Sequence, residues 1–263
     1  MSVQLTFPAQ GAALVIGGSG GGGAFICPTL GRAGPPVAFT YHKSKKRGDE
    51  TLAKVKELGV SCSVHGLDGS DAGAMKALVE QRVFTYGGLH TAIYAAGPIV
   101  DFLPLSEAQP EQWHRFMTAD AGSVFNLAHA AMPHLRQAQG SFTACVTYAN
   151  RRVLDYDGLS AVPKAAVESL VRQIAAEAGK YGVRANSVGL GWIDAGVGAS
   201  SAESDHSLRE AFGEAALQYL TQIARLQNRP GTGQEFANAV VFFASQQASY
   251  ITGQAIMVDG GGA

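Results

Sequence analysis

The chain has 263 residues, and its 20 basic and 21 acidic side chains nearly cancel to a formal net charge of −1. That balance advertises neither nucleic acid nor an anionic membrane as a partner. Charged residues are only 16% and apolar ones 46%, against roughly 25% charged in an average domain, so the chain has a large core or covers surface in an oligomer.

The opening MSVQLTFPAQ has no basic n-region, and the apolar run after it, Ala12 to Ile16, is too short for a signal h-region or a membrane span. A cytoplasmic protein is expected. That run, AALVI, reads as a buried strand, followed by a glycine run and a helix to about Gly34 in which Pro28 is tolerable only near the first turn. PVAFTY (36–41) is a second strand, followed by the charged helix DETLAKVKEL, and VSCSVHGLD (60–68) is a third strand. A helix from Asp71 to about Tyr86 leads to a fourth strand, LHTAIYAAG (89–97). A long helix is expected from about Ser106 to Gln137, broken near Pro133, then a fifth strand, FTACVTYA (142–149). The helix from Pro163 to Gly182 precedes a sixth strand, VRANSVGLG (183–191). The stretch from 194 to about 227, rich in Ala, Gly and Ser, reads as a lid or a plain surface excursion before a further helix. QAIMVDGG (254–261) makes a seventh strand.

Continuous apolar strands separated by helices of ten or more residues predict a parallel sheet covered on both faces. The expected fold over residues 1–263 is one α/β domain, a doubly wound seven-stranded sheet of the Rossmann type. Glycine supplies 33 residues, about 12.5% against roughly 7% in average usage, with no collagen-like period. Cys27, Cys62 and Cys145 have no metal spacing and suit a reducing compartment. The seven histidines show no ligand spacing either, so no metal site is expected.

The run Gly17-Gly18-Ser19-Gly20-Gly21-Gly22-Gly23 stands between the first strand and its helix. There, glycines let the backbone turn sharply and approach a pyrophosphate whose charge sits on the helix N-terminus. An acidic residue for the ribose 2′-hydroxyl is expected about 20 residues on. Instead the second strand ends Thr40-Tyr41-His42-Lys43-Ser44-Lys45-Lys46-Arg47, with no acid before Asp49. A carboxylate would repel a 2′-phosphate, whereas Lys43 or Lys45 would attract one, which favours NADP(H) over NAD(H).

From these motifs the chain resembles the short-chain dehydrogenase/reductase family over nearly its whole length. The glycine run stands for TGxxxGxG, and Leu67-Asp68 matches the acid that touches adenine. Ala96-Gly97 matches the end of the NNAG motif, and Arg184, Asn186 and Val188 match RxNxV. Tyr250-Ile251-Thr252-Gly253 and Val258-Asp259-Gly260-Gly261 match the C-terminal signature. The resemblance implies cofactor contacts from Gly17, Ser19, Gly21, Gly22, Gly23, His42, Lys43, Ser44, Leu67, Asp68, Ala96, Gly97, Lys164, Gly191 and Ile193.

The family's Asn–Ser–Tyr–Lys set maps onto altered residues. Lys164 stands at the lysine, Ser160 at the tyrosine, Thr147 at the serine and Asp120 at the asparagine. A phenol near pKa 10 can be drawn toward neutrality by an ammonium, whereas an aliphatic hydroxyl starts far more basic. Ser160 can therefore donate a hydrogen bond but is a poor proton shuttle. Tyr156, Tyr148 directly after Thr147, or water is left as the proton donor, and Tyr156 serves only with Lys164 closer to it than Asp155 or Asp157. Asp120 either keeps a helix kink, pairs with Lys164 or acts as a base.

The leading expectation is an NADP(H)-dependent oxidoreductase of a carbonyl/alcohol pair, with Thr147 and Ser160 on the oxygen and Lys164 on the nicotinamide ribose. The alternatives are an isomerase, dehydratase or cyclase on the same scaffold, or a catalytically silent binding subunit. Leu154, Tyr156, Trp192 and Ile193 suggest a small apolar substrate. The family resemblance implies a homodimer or homotetramer, with neither nucleic acid nor membrane as partner.

Overall fold

The computed structural model describes residues 4–194, 222 and 224–263. In chain order these hold β1 (Ala12–Ile16), α1 (Gly23–Arg32), β2 (Val37–Tyr41), α2 (Lys45–Lys56), β3 (Cys62–Gly66), α3 (Ala72–Tyr86) and β4 (Leu89–Tyr94). Then follow α4 (Pro110–Met117), a π-helical turn (Thr118–Gly122), α5 (Ser123–Ala138), β5 (Ser141–Thr147), α6 (Gly158–Ala178), β6 (Arg184–Leu190), α7 (Gly233–Ala244) and β7 (Ala255–Val258). The seven strands form one sheet of order β3-β2-β1-β4-β5-β6-β7, with every pairing parallel. Strand order reverses between β1 and β4, so a crevice opens beyond their C-terminal ends, where doubly wound sheets bind ligands.

Alternation along the strands divides the core into two layers. Leu14 faces the layer holding Met75, Leu127, Phe142 and Val167. Ala13 and Val15 face the other, with Ile26, Phe39, Phe236 and Val240. Leu14 and Val15 are fully buried, and each such side chain contributes about 1.5–3 kcal/mol. The Asp71 carboxylate caps α3 by accepting from the Ala74 amide at 2.9 Å. Thr232 and Glu235 cap α7 reciprocally.

Several boundaries differ from the sequence expectation, α2 starting at Lys45 and α4 at Pro110, and three further differences concern prolines. The break in the long helix falls at the π-turn around Asp120 rather than near Pro133, which lies inside α5. Pro133 and His129, whose carbonyl it leaves without a helical donor, are both exposed, so water can satisfy that group. The helix expected from Pro163 starts at Gly158, which puts Ser160 and Lys164 one turn apart on one face. Pro28 lies at the sixth position of α1, past the first turn. Of the expected lid over 194–227, residues 195–221 and 223 lie outside the described residues.

Candidate active site

A cavity of about 1540 Å³ opens at the C-terminal ends of the strands. It exceeds the roughly 300–1,000 Å³ of ordinary small-ligand pockets. One end is formed by the β1–α1 loop. Gly17 holds φ +82°, and a Cβ there would lie 2.8 Å from the Ala96 backbone, so the loop closes onto β4 only with glycine at this position. The Gly17 amide donates to Thr40 Oγ1 at 2.9 Å and the Ser19 amide to the Thr40 carbonyl at 3.3 Å. Thr40 thus fixes the loop to β2, a role its neighbourhood in sequence did not signal. Ser19, Gly21 and Gly22 line the cavity. The Gly21 and Gly22 amides donate to no acceptor among the described residues and stand at the α1 N-terminus. Gly23 lies under the loop rather than on the wall, where a Cβ would collide with the Gly17 carbonyl.

The wall beyond β2 carries His42, Lys43 and Ser44, together with Arg47. Arg47 is held beside Ser44, whose hydroxyl accepts the Arg47 amide at 3.3 Å. Lys45, the other cation expected here, is off the wall and pairs with Asp49 at 2.7 Å. Leu67 and Asp68 follow. Asp68 accepts from the Ser70 hydroxyl at 2.7 Å and the Ser70 amide at 3.0 Å, and these bonds hold its carboxyl below the usual range.

The far end brings Asp120, Thr147, Tyr156, Ser160 and Lys164 onto one cavity, with Ala96, Gly97 and Gly191 beside them. The Lys164 ammonium donates to Asp120 Oδ1 at 2.7 Å and to the Ala96 carbonyl at 3.0 Å. The Asp120 side chain is 2% exposed and that of Lys164 12%. Of the three roles open to Asp120, the geometry therefore displays the ion pair. Gly97 lies against this pair, where a Cβ would stand 3.4 Å from Nζ.

Tyr94, which replaces a motif asparagine, is buried and donates from its hydroxyl to the Ala119 carbonyl at 2.7 Å, tying β4 to the π-turn that carries Asp120. Burial, with Asp120 nearby, pushes its phenol far up. Thr147 ends β5, and its hydroxyl accepts the Ala149 amide at 3.2 Å. Tyr156 holds a left-handed φ of +66°. Leu154 and Trp192 line the cavity. Ile193 does not, because its side chain is buried in the core layer with Phe236.

Asp157 was passed over in the sequence as a mere neighbour of Tyr156. It lies at the start of α6, is 7% exposed, and shares the cavity wall with Ser160. Burial pushes its carboxyl up to about 7, with the Ser160 hydroxyl pulling the other way through a hydrogen bond. No local sequence pattern announced that burial. Among the described residues no cluster of His, Cys, Asp and Glu could hold a metal, and no helix is long and apolar enough to cross a membrane.

Residues 19–262 match the family model described as enoyl-(acyl carrier protein) reductase. The chain is 32% identical over 251 residues to a 3-oxoacyl-(acyl-carrier-protein) reductase of Staphylococcus aureus, covering 95% of this chain and 97% of that protein. It is 29% identical to a versicolorin reductase of Emericella nidulans, over 95% of this chain and 94% of the relative. A short-chain dehydrogenase/reductase from Serratia marcescens superposes with a TM-score of 0.83 at 28% identity, over 97% of this chain and 99% of that one. A family model that spans nearly the whole chain and relatives aligned end to end agree with the sheet order and the crevice: the chain belongs to the short-chain dehydrogenase/reductase family.

Proposed function

We propose that the protein is an NADP(H)-dependent reductase of a carbonyl/alcohol pair whose proton donor is not a tyrosine at the family's usual place. The observation that carries this reading is the convergence of the Thr147 and Ser160 hydroxyls with Lys164 at one end of a cavity whose other end is the glycine loop. The donor set fits a dinucleotide: unpaired loop amides at a helix N-terminus suit a pyrophosphate, and Lys43 and Arg47 suit a 2′-phosphate. The reduced nicotinamide supplies the hydride when bound.

The chain's own residues supply positioning and charge. Gly17, Ser19, Gly21 and Gly22 seat the pyrophosphate, while His42, Lys43, Ser44 and Arg47 surround the adenosine phosphate. Asp68 and Leu67 border the adenine. Ala96, Gly97 and Gly191 shape the floor, and Lys164, oriented by Asp120, holds the nicotinamide ribose hydroxyls. Thr147 and Ser160 hydrogen-bond the carbonyl oxygen, which draws charge onto it as hydride arrives. Tyr156, Leu154 and Trp192 give that end an apolar wall for the rest of the substrate.

The reductase names of the two curated relatives support the reaction class, and a 3-oxoacyl thioester is the first substrate class to try. The three free cysteines suit a reducing, cytoplasmic setting. Exposed Phe125 on α5 and Val162 on α6, with the low charge content, support a homodimer or homotetramer through those helices. The test is NADPH consumption with an acetoacetyl thioester and with an aromatic ketone. Stoichiometric alcohol formation is expected; turnover of a substrate without any nicotinamide would overturn the reading in favour of a non-redox enzyme.

A further inference from the structure

We propose that Asp157 is the proton source of this site, passing a proton through the Ser160 hydroxyl to the oxygen of the substrate carbonyl. The proposal rests on the reductase reading above.

Its basis is the first turn of α6. The Asp157 carbonyl accepts the Ser160 amide at 3.0 Å and the Ala161 amide at 2.8 Å, which sets the two side chains on the same turn. Ser160 stands three residues on from the buried Asp157 in that turn, and its hydroxyl acts to lower the Asp157 carboxyl against the larger effect of burial. Both side chains reach the wall of the cavity that also holds Thr147 and Lys164. The titratable and charged groups that line the same end of the cavity as Asp157 are Arg152, Asp155 and Tyr156 from the preceding loop, Lys164 from α6, Glu111, His114 and Arg115 from α4, and Asp101 before it. Lys164 is committed to Asp120 and Arg115 to Asp101. No cation ion-pairs with Asp157 among the described residues, so burial stands as the dominant influence and favours its neutral, proton-bearing form up to about pH 7.

This supplies what Ser160 lacks. An aliphatic hydroxyl can give up its proton only if it regains one in the same event. As hydride from the reduced nicotinamide bonds to the carbonyl carbon, the π pair moves onto the carbonyl oxygen, which takes the Ser160 hydroxyl proton. The Ser160 oxygen takes the Asp157 carboxyl proton, and Asp157 is left as a carboxylate that solvent reprotonates. One hydride and one proton are consumed per alcohol formed.

The test joins a titration to kinetics. Carbon-13 carboxyl NMR of aspartate-labelled protein is followed with pH in the wild type, Asp157→Asn and Ser160→Ala. NADPH-dependent reduction of an acetoacetyl thioester is measured across pH in the wild type, Asp157→Asn and Asp157→Glu. A resonance titrating near 7 is expected, absent in Asp157→Asn and shifted higher in Ser160→Ala, where the stabilising hydroxyl is gone. In the wild type kcat falls as pH rises through that value. Asp157→Asn lowers kcat about 100-fold or more with KM little changed and the pH dependence flattened, and Asp157→Glu restores part of it. An Asp157 titration in the ordinary carboxylate range, or one indifferent to Ser160→Ala, overturns the proposal whatever the activity. So does an Asp157→Asn enzyme with wild-type kcat and pH profile. Failure of NADPH to bind the wild type would instead overturn the reductase reading, and with it the reaction this proton serves.

Discussion

Removing either member of the Asp120–Lys164 pair should destabilise the protein, and removing both should cost less than the two single losses together. The two groups meet at 2.7 Å, with the carboxylate 2% and the ammonium 12% exposed. Losing one partner of a buried pair costs about 3–5 kcal/mol, because the survivor stays charged and desolvated. Asp120→Ala leaves the ammonium at a cavity wall with the Ala96 carbonyl still accepting from it at 3.0 Å, so about 3 kcal/mol is expected. Lys164→Met leaves the more deeply buried carboxylate alone, and about 4–5 kcal/mol is expected. The double variant leaves no orphan charge, so its loss should fall short of the sum of the single losses by about 2 kcal/mol or more. Urea unfolding followed by circular dichroism measures all four proteins. Additivity within about 0.5 kcal/mol would refute the pair as a coupled unit, and so would a single loss below about 1 kcal/mol.

Asp157→Asn should change stability in a pH-dependent way. The wild-type carboxyl titrates at about 7 folded against an ordinary 3.8, so its burial costs nothing below about pH 4, and stability is lost as pH rises to 7. The gap is on the order of 4 kcal/mol; Asn should therefore stabilise at pH 8 and give no gain at pH 4, and equal effects at both would contradict the assignment. Gly17→Ala combines left-handed strain with a Cβ 2.8 Å from Ala96, so urea unfolding should show a loss of about 2–4 kcal/mol. Lys43→Ala with Arg47→Ala should weaken NADPH binding by roughly 10–100-fold through lost charge-assisted bonds, while NADH binding, followed by the same fluorescence titration, changes far less.

The sheet was legible because β1 and β2 open the chain as apolar, almost wholly buried runs and every strand but β7 is followed by a helix long enough to cross back. Its order needs only right-handed crossovers and one reversal, which the glycine loop after β1 marks. The π-turn was not legible: it is set by Tyr94 and Lys164, which reach Ala119 and Asp120 from 25 and 44 residues away. Proline misled three times, at Pro28, which lies past the first turn of α1, at Pro133, where solvent-exposed backbone absorbs the missing donor, and at Pro163, which is accommodated inside α6. At the site, the family resemblance singled out Lys164, Ser160 and Thr147, and the fold brings all three to one cavity. The engagement of Lys164 by Asp120, the burial of Asp157 and the turning of Lys45 away from Lys43 and Arg47 all depend on packing between distant segments.

The proposed reductase chemistry depends on the glycine loop and the basic wall beside it binding NADP(H). The melting temperature with saturating NADPH, set beside NADH and no nucleotide, tests it most directly. Ligand at 100 times its dissociation constant stabilises by about 2.7 kcal/mol, which for a chain of this size is a rise of roughly 5–10 °C. That rise is expected with NADPH, and a smaller one with NADH at the same concentration. No shift with either nucleotide would contradict it.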